Sequence, residues 1–159
     1  MPIHVYLLTQ ISYKETIEMA FYGASVIHPK TLQPLQSKQI PLVVRSFKDR
    51  KLKGTKITKG VSLVPHIPCY IVKQNQILIA ISSLDFSFMV ENNLAKIFQL
   101  LDAHKLYVNL IQNSAISFSV CVDNRFNGFN LFQQEITKHF KITVHENVTI
   151  YTVRHFSDT

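Results

Sequence analysis

The stretch ILIAISSLDFSFMVENNLAKIFQLLDAHKLYVNLIQNSAISFSVCVD, residues 77–123, decides the fold. It opens with an apolar run of strand length at 77–82, and apolar residues at helical spacing follow from Val90 to Leu101. Two further strands are predicted at 107–112 and 116–122. In the last of these, apolar and small polar residues alternate, which predicts one buried and one exposed face.

The same pattern continues to residue 153. Residues 123–128 are polar turn residues, Phe132, Ile136 and Phe140 have helical spacing, and strands are predicted at 142–144 and 148–153. The order from residue 77 is therefore strand, helix, strand, strand, helix, strand, which predicts an α+β, ferredoxin-like βαββαβ domain. The segment PCYIVK at 68–73 predicts one further strand before it.

The chain before residue 68 shows a different pattern, with two predicted helices, one short strand and a linker. Ser12-Tyr13-Lys14-Glu15 is a capping box, in which Ser12 accepts from an orphan amide and Glu15 reaches back, and it predicts a helix to about Ile27. Pro29 predicts a second helix to about Ser37, and PLVVRSF at 41–47 predicts a short strand. The lysine-rich run, two glycines and two prolines of residues 48–67 predict a linker.

Composition limits the classes of protein. Of the 159 residues, 47% are hydrophobic and 17% charged, which excludes a disordered chain, and no apolar run reaches the ~18 residues of a membrane span. Two distant cysteines without an export signal indicate reduced thiols in a cytoplasmic protein.

The seven histidines show no metal-ligand spacing, so no metal site is predicted. The net charge of +7 is concentrated in residues 48–59, which we interpret as a solvated linker; a nucleic-acid role ranks third among the hypotheses.

A ferredoxin-like fold serves many functions, so the residues must decide between them. An RNA-recognition module needs exposed aromatic side chains on its third strand, and ISFSVCV offers none outside its apolar set. A metal chaperone needs a Cys-x-x-Cys pair, which the sequence lacks. A small-molecule regulatory domain needs a helix start facing a polar strand end. Residues 91–93 (ENN) and 113–114 (NS) supply these.

Longer motifs resemble one family. YKETIEMAFYGASVIHPKTLQPLQSKQIPLVVRSF, residues 13–47, resembles the end of the kinase domain of aspartokinases, and residues 81–123 resemble the first ACT domain of the lysine-sensitive aspartokinases. The resemblance extends through FKITVHENVTIYTVRH at 140–155. It implies a C-terminal piece of such an enzyme, with the end of a kinase domain at 1–47, a linker at 48–67 and an ACT region at 68–159. One ACT unit would be complete at about 76–146, followed by the start of a second.

The resemblance implies a regulatory function. The ACT region would bind an end-product amino acid at a dimer interface and cause feedback inhibition of aspartate phosphorylation in lysine, threonine and methionine biosynthesis. Lysine is the first choice of effector and threonine the second. The expected partner is a second copy of the chain, contacting through strand 108–112 and helix 90–104, with no nucleic acid and no membrane. The alternative is a ligand-free module that pairs with a full-length aspartokinase.

The resemblance also bears on catalysis. The family transfers phosphate from ATP to aspartate, but its opening phosphate-binding turn does not occur in this sequence, and Ser25 stands where the family has a nucleotide-contacting lysine. A serine cannot supply that charge. We therefore assign no catalytic residue and no cofactor to the chain, although ATP serves the full-length family, and expect no kinase activity from it.

The effector residues implied by the resemblance fall into two sets. The first surrounds the start of the helix and the second follows the next strand; together they are Asp85, Phe86, Phe88, Met89, Val90, Asn93, Leu94, Val108, Asn109, Asn113 and Ser114. The family's aspartate is replaced by Asn109, and its Thr-Ser-Glu by Asn113-Ser114-Ala115. Asn109 can accept a hydrogen bond but lacks the charge, a loss of about 1–3 kcal/mol towards an ammonium group.

Overall fold

The chain forms two compact units in the computed structural model, which describes residues 5–24, 26–49, 51–60, 63–85 and 87–156. Unit 1 consists of the residues before Lys73 together with those after Ile150, and unit 2 runs from Lys73 to Ile150. Two strands of 15 residues, β5 (Cys69–Ser83) and β8 (Phe140–Arg154), contribute residues to both units.

Unit 1 is built on a four-stranded sheet. Its further elements are β1 (Gln10–Ser12), α1 (Tyr13–Tyr22), α2 (Pro29–Ser37), β2 (Leu42–Val44), β3 (Thr55–Thr58) and β4 (Leu63–Val64). The sheet order is β2-β3-β1-β4, with β1 parallel to β3 and antiparallel to β4. The core of this unit consists of the buried side chains of Ile11, Tyr13, Leu32, Ile57 and Leu63.

At the start of α1, one of the two hydrogen bonds of the predicted capping box is present. Ser12 Oγ accepts a hydrogen bond from the Glu15 amide at 3.1 Å, but the Glu15 carboxylate bonds Arg154 instead of reaching back. The helix ends at Tyr22, short of the predicted Ile27, because Gly23 adopts φ 122° and its N–H donates to the carbonyl of Ala20. Glycine accepts this backbone conformation without the steric cost that a side chain would bring.

The stretch predicted as a linker contains two strands of the unit 1 sheet. β3 and β4 both lie within residues 48–67, and Ile57 and Leu63 are buried. The lysines of this stretch, Lys51, Lys53, Lys56 and Lys59, are exposed. Within β3, the exposed Lys56 and the buried Ile57 point to opposite faces, so this strand has one solvated face. The division between the units falls after Val72 instead.

Unit 2 has the predicted ferredoxin-like fold. After β5 come α3 (Glu91–Ala103), β6 (Tyr107–Asn113), β7 (Ser117–Asp123), α4 (Phe129–Ile136) and β8, and the sheet order is β6-β7-β5-β8. β7 pairs antiparallel with both β5 and β6. Sheet and helices share one core, whose completely buried side chains include Ile79, Ile81, Ile97, Val120, Phe132 and Ile136.

Two details of unit 2 differ from the sequence pattern. Phe98, placed on the apolar helix stripe, is 41% exposed and meets Phe118 edge to face, with ring centroids 5.6 Å apart. Cys121, placed on the polar face of its strand, is buried. β7 pairs with β5 without a register shift, so Cys121 lies on the face opposite Val120 and Val122 and is buried there as well.

The strands β5 and β8 are each continuous where the sequence predicts two shorter strands. Asn75 in β5 and Asn147 in β8 both have φ 57°. Asparagine tolerates this left-handed conformation better than most residues, so the backbone kinks without ending the strand. Within the part of the chain that the structure describes, no helix is long and apolar enough to cross a membrane.

Candidate functional site

The N-terminus of α3 lacks a side-chain cap. Val90 occupies the cap position in an extended conformation and supplies no side-chain hydrogen bond to the first turn. The leading N–H groups of a helix carry partial positive charge and are a suitable site for a carboxylate. This helix start can therefore hold the carboxylate of a small ligand.

The turn between β6 and β7 lies beside this helix start. The Met89 amide donates to the carbonyl of Ala115 at 2.9 Å, which joins the loop before α3 to the turn. Within the turn, the Ser114 amide donates to the Ser117 carbonyl at 2.9 Å, and the two hydroxyls lie 2.8 Å apart. Asn113 ends β6 opposite Phe118. The structure thus brings the helix start and the polar strand end together, as the effector prediction requires.

The first predicted set of effector residues divides into exposed and buried side chains. Phe88 and Val90 are exposed, whereas Met89 is buried in the core of unit 2 and Leu94 packs partly against it. The Asn93 amide donates to the Val90 carbonyl at 3.0 Å. Phe88 and Val90 are therefore accessible to a ligand, whereas Met89 is not.

Three other predicted residues remain to be placed, and the structure describes one of them. The Asp85 carboxylate is exposed and accepts from the Ser87 amide at 3.1 Å, and hydrogen bonds from Ser87 lower the pKa of this carboxyl. Phe86, predicted as an effector residue, and Ser25, predicted to replace a nucleotide-contacting lysine, lie outside the described residues.

Asn109 is engaged by two side chains of β5. Its Oδ1 accepts a hydrogen bond from Lys73 Nζ at 2.7 Å, and its Nδ2 donates to Gln76 Oε1. Gln76 is buried, with 3% of its surface exposed. Asn109 sits at the register shift between Val108 and Leu110, and Val108 packs against the core. The amide oxygen predicted to receive an effector is already occupied by a cation of the same chain.

Asn109 does not lie beside the start of α3. Asn113 follows four positions later on the same strand, roughly 13 Å away in an extended backbone. Sequence reasoning missed Lys73 and Gln76, because the contact spans β7 and exists only through the sheet order β6-β7-β5. No spacing along the chain marks it.

β6 forms one edge of the unit 2 sheet and carries exposed apolar side chains. Tyr107, Leu110 and Ile111 are each about half exposed, at 52%, 45% and 49%. The guanidinium of Arg125 lies over the Tyr107 ring, 5.2 Å from its centroid. An edge strand has unpaired backbone groups that another strand can use. The predicted contact strand 108–112 is thus placed at an open edge.

Two further observations concern cavities and metal sites. A cavity of about 590 Å³ in unit 1 is lined by residues that include Ser12, Lys14, Gln36 and Lys59, and no predicted effector residue lines it. Among the described residues, no group of three or more His, Cys, Asp or Glu side chains is arranged to hold a metal ion.

Unit 2 has the ferredoxin-like fold of the ACT class of domains. The chain is 33% identical over 116 residues to the lysine-sensitive aspartokinase 3 of Escherichia coli, covering 73% of this chain and 26% of that protein. It is 30% identical over 128 residues to the chloroplastic aspartokinase 1 of Arabidopsis thaliana, covering 79% and 22%. A scan against models of protein families gave no match. The chain belongs to the aspartokinase family, and it matches the regulatory region of these enzymes.

Solved structures agree with this assignment. The crystal structure of E. coli aspartokinase III in complex with lysine and aspartate superposes with a TM-score of 0.74 at 28% identity, over 91% of this chain and 33% of that one. The aspartate kinase of Clostridium acetobutylicum gives 0.76 at 24% identity and supports the fold alone. The chain spans about a quarter of the length of the curated relatives it matches.

Proposed function

We propose that the chain is a regulatory ACT region of aspartate kinase that binds an end-product amino acid at an interface between two copies of unit 2. The observation that carries the proposal is the uncapped start of α3, joined through the Met89–Ala115 hydrogen bond to the turn that ends β6. The helix amides would receive the ligand's carboxylate. In a full enzyme, the ligand would favour one dimer arrangement and so disfavour the active kinase conformation.

Lysine is the proposed effector, ahead of threonine. Two findings about relatives support this choice: the E. coli relative is lysine-sensitive by name, and its crystal structure contains lysine with aspartate. Phe88 and Val90 offer exposed apolar surface beside the helix start, which suits the methylene groups of a lysine side chain.

The proposed dimer contact is the β6 edge together with the exposed side of α3. The half-exposed Leu110 and Ile111 on β6 and Phe98 on α3 are apolar side chains that a second copy would cover. Their burial would place two copies of the candidate site near the same interface. This arrangement would let one ligand contact both copies.

The test is isothermal titration calorimetry of the purified chain with lysine, threonine, methionine and diaminopimelate, combined with light scattering. We expect saturable lysine binding near one ligand per chain and a dimer whose stability increases with lysine. A folded protein that gives no heat with any of the four amino acids would contradict the proposal.

A ligand-free pairing module is the second candidate. The observation that favours it is the engagement of both ends of the Asn109 amide by Lys73 and Gln76. Such a module would co-purify with a full-length aspartokinase and show no response to amino acids. The same calorimetry, followed by affinity capture with a purified full-length aspartokinase, distinguishes the two functions.

Two further predictions belong to the proposal. The chain by itself is expected to use no cofactor and to phosphorylate no aspartate, since the family's phosphate-binding turn does not occur in the sequence. ADP release above background in a coupled assay with ATP and aspartate would contradict it. The second prediction is a cytoplasmic location. Fractionation of cells that express the chain should recover it in the cytoplasmic fraction.

A further inference from the structure

We propose that Asn127 is a site of spontaneous deamidation in the folded chain, and that isoaspartate is the product that alters the structure. Asn127 and Gly128 form the one Asn-Gly pair in the sequence. They lie between β7 and α4, beside the C-terminal end of α3, whereas the candidate effector site lies at the start of α3. The proposal concerns a different end of unit 2 and does not rest on the proposed function.

The reaction needs only the protein and water. The Gly128 nitrogen loses its proton to solvent base and attacks the side-chain carbonyl carbon of Asn127. A C–N bond forms, and the side-chain nitrogen takes up a proton and leaves as ammonia, so that a cyclic succinimide remains. Water then opens the ring. Cleavage of the new C–N bond yields aspartate, whereas cleavage of the original peptide bond leaves isoaspartate, in which the main chain runs through the side-chain methylene group.

The structure leaves both reacting groups of this pair free. Asn127 is exposed, and within the described part of the chain neither its side-chain amide nor the Gly128 N–H makes a hydrogen bond. Gly128 has no Cβ, so no side chain shields its nitrogen. Asn127 has φ 57°, and the hydrogen bonds of α4 begin after it, with the Phe132 amide donating to the Gly128 carbonyl at 3.0 Å. Ring closure therefore breaks no hydrogen bond of the helix.

Other asparagines are protected by their surroundings. Asn113 is also exposed and is followed by a small residue, but the Ser114 amide donates to the Ser117 carbonyl at 2.9 Å. The amide of Asn93, which follows Asn92, donates a hydrogen bond at the start of α3. In both cases the attacking nitrogen must first give up its hydrogen bond. Asn127 should therefore react before either of them.

The two products affect unit 2 differently. Isoaspartate lengthens the main chain by a methylene group directly before Gly128, where an added Cβ would already lie 1.9 Å from the His104 carbonyl oxygen. Gly128 must then move, which also disturbs the hydrogen bond from the Phe129 amide to Asn124 Oδ1 at 3.0 Å. Aspartate keeps the length of the main chain and places a negative charge before the positively polarised start of α4. Of the two products, isoaspartate is therefore the one that destabilises unit 2.

The experiment incubates the folded wild-type chain at mildly alkaline pH and follows its tryptic peptides by mass spectrometry. Peptide 126–138 contains Asn127, and peptide 106–125 contains Asn113 as an internal control. We expect the first peptide to exchange its amide nitrogen for oxygen progressively, with fragmentation assigning the change to Asn127 and enzymatic methylation detecting isoaspartate. The second peptide should stay unmodified. Asn127→Gln, whose longer side chain closes a ring much less readily, should abolish the change in peptide 126–138.

A second sample, unfolded in urea at the same pH, tests the role of the fold. Comparable conversion of Asn127 in the folded and unfolded samples supports the proposal. Conversion in the unfolded chain alone, conversion in neither sample, or equal conversion of Asn113 in the folded chain would overturn it. In thermal unfolding, chains enriched in isoaspartate should have a lower midpoint than Asn127→Asp, which should match the wild-type chain. Equal midpoints would overturn the structural effect assigned to isoaspartate.

Discussion

The guanidinium of Arg154 donates two hydrogen bonds to the carboxylate of Glu15, although 139 positions separate the two residues. Nε lies 2.7 Å from Oε1 and an Nη group 2.9 Å from Oε2. The Glu15 side chain is only 7% exposed, and Arg154 also lies over the Tyr22 ring, 5.5 Å from its centroid. A bidentate pair of this kind fixes both side chains in orientation as well as in distance. It joins α1 to the last residue of β8 within unit 1.

Glu15→Gln should destabilise unit 1. The change removes the nearer charge partner of a partly buried guanidinium and leaves Glu18 at 3.6 Å. We therefore expect a loss of roughly 2–3 kcal/mol in the free energy of unfolding. Urea unfolding followed by circular dichroism measures it. Glu146→Gln, at an exposed position, is the control and should change stability by less than about 0.5 kcal/mol.

The same pair predicts a dependence of stability on pH. Hydrogen bonds and charge from Arg154 lower the pKa of the Glu15 carboxyl, so between the two pKa values the unfolded chain binds more protons than the folded one. The stability that the Glu15–Arg154 pair contributes is complete above the ordinary pKa of a glutamate, about 4.3. It declines below that pH and is lost once the pH has fallen through the lowered pKa of Glu15. The stability difference between the wild-type chain and Glu15→Gln should therefore shrink from pH 6 to pH 3. A constant difference would contradict the prediction.

Ile111→Lys should abolish pairing of two chains through the β6 edge. A lysine on an exposed edge strand must be desolvated when another strand approaches, which is how many proteins prevent edge pairing. Light scattering at one protein concentration should give a dimer for the wild-type chain and a monomer for the variant. Leu131→Lys, at a 60% exposed position on α4, should remain dimeric. Monomeric behaviour of both variants would indicate a different interface.

Gly128→Ala should destabilise unit 2 for a purely steric reason. The residue has φ −79°, which any amino acid adopts, but an added Cβ would lie 1.9 Å from the carbonyl oxygen of His104. Relief requires α3 and α4 to move apart, so we expect a loss of about 1–3 kcal/mol. Asn130→Ala, at an exposed position on the same helix, should leave the unfolding midpoint almost unchanged. An equal effect of both substitutions would rule out the steric explanation.

Ala115→Glu should strengthen lysine binding if the proposed function holds. Ala115 is exposed in the turn beside the helix start, where the family pattern has a glutamate. A carboxylate there can form a charge-assisted hydrogen bond with the ligand's ammonium group, which we expect to improve the lysine affinity roughly tenfold. Calorimetry provides the measurement. Gln134→Glu, which makes the same charge change on exposed α4, should have no effect.

The order of elements in unit 2 could be predicted from the sequence because its signals are local. Strand 77–82, the helical stripe and the alternation in β7 each concern neighbouring residues, and the ferredoxin-like arrangement follows from their order. The sequence does not predict the end of α1 at Gly23 or the positive φ angles of Asn75 and Asn147. They depend on single residues in left-handed conformations, and the sequence does not say which glycine or asparagine adopts one.

The candidate site could be predicted only in part. The helix start and the Ser114 turn were placed together because consecutive elements of a known fold determine their positions. The partners of Asn109 were not foreseen, since Lys73 reaches it across an intervening strand. The sequence does not predict β3 and β4, because the lysines and glycines around them are typical of a linker, although Ile57 and Leu63 are buried in the structure.

Unit 1 is made of two segments of the chain, one before Lys73 and one after Ile150. This arrangement determines which unit can complete its folding first during synthesis. Glu15 is translated before its partner Arg154, which follows 139 residues later. Residues 73–150 of unit 2 are all translated in that interval. Domains that are continuous in sequence usually complete their folding from the N-terminal end as they leave the ribosome. Unit 1 therefore acquires residues 151–154, including Arg154, only after the whole of unit 2 has been synthesised.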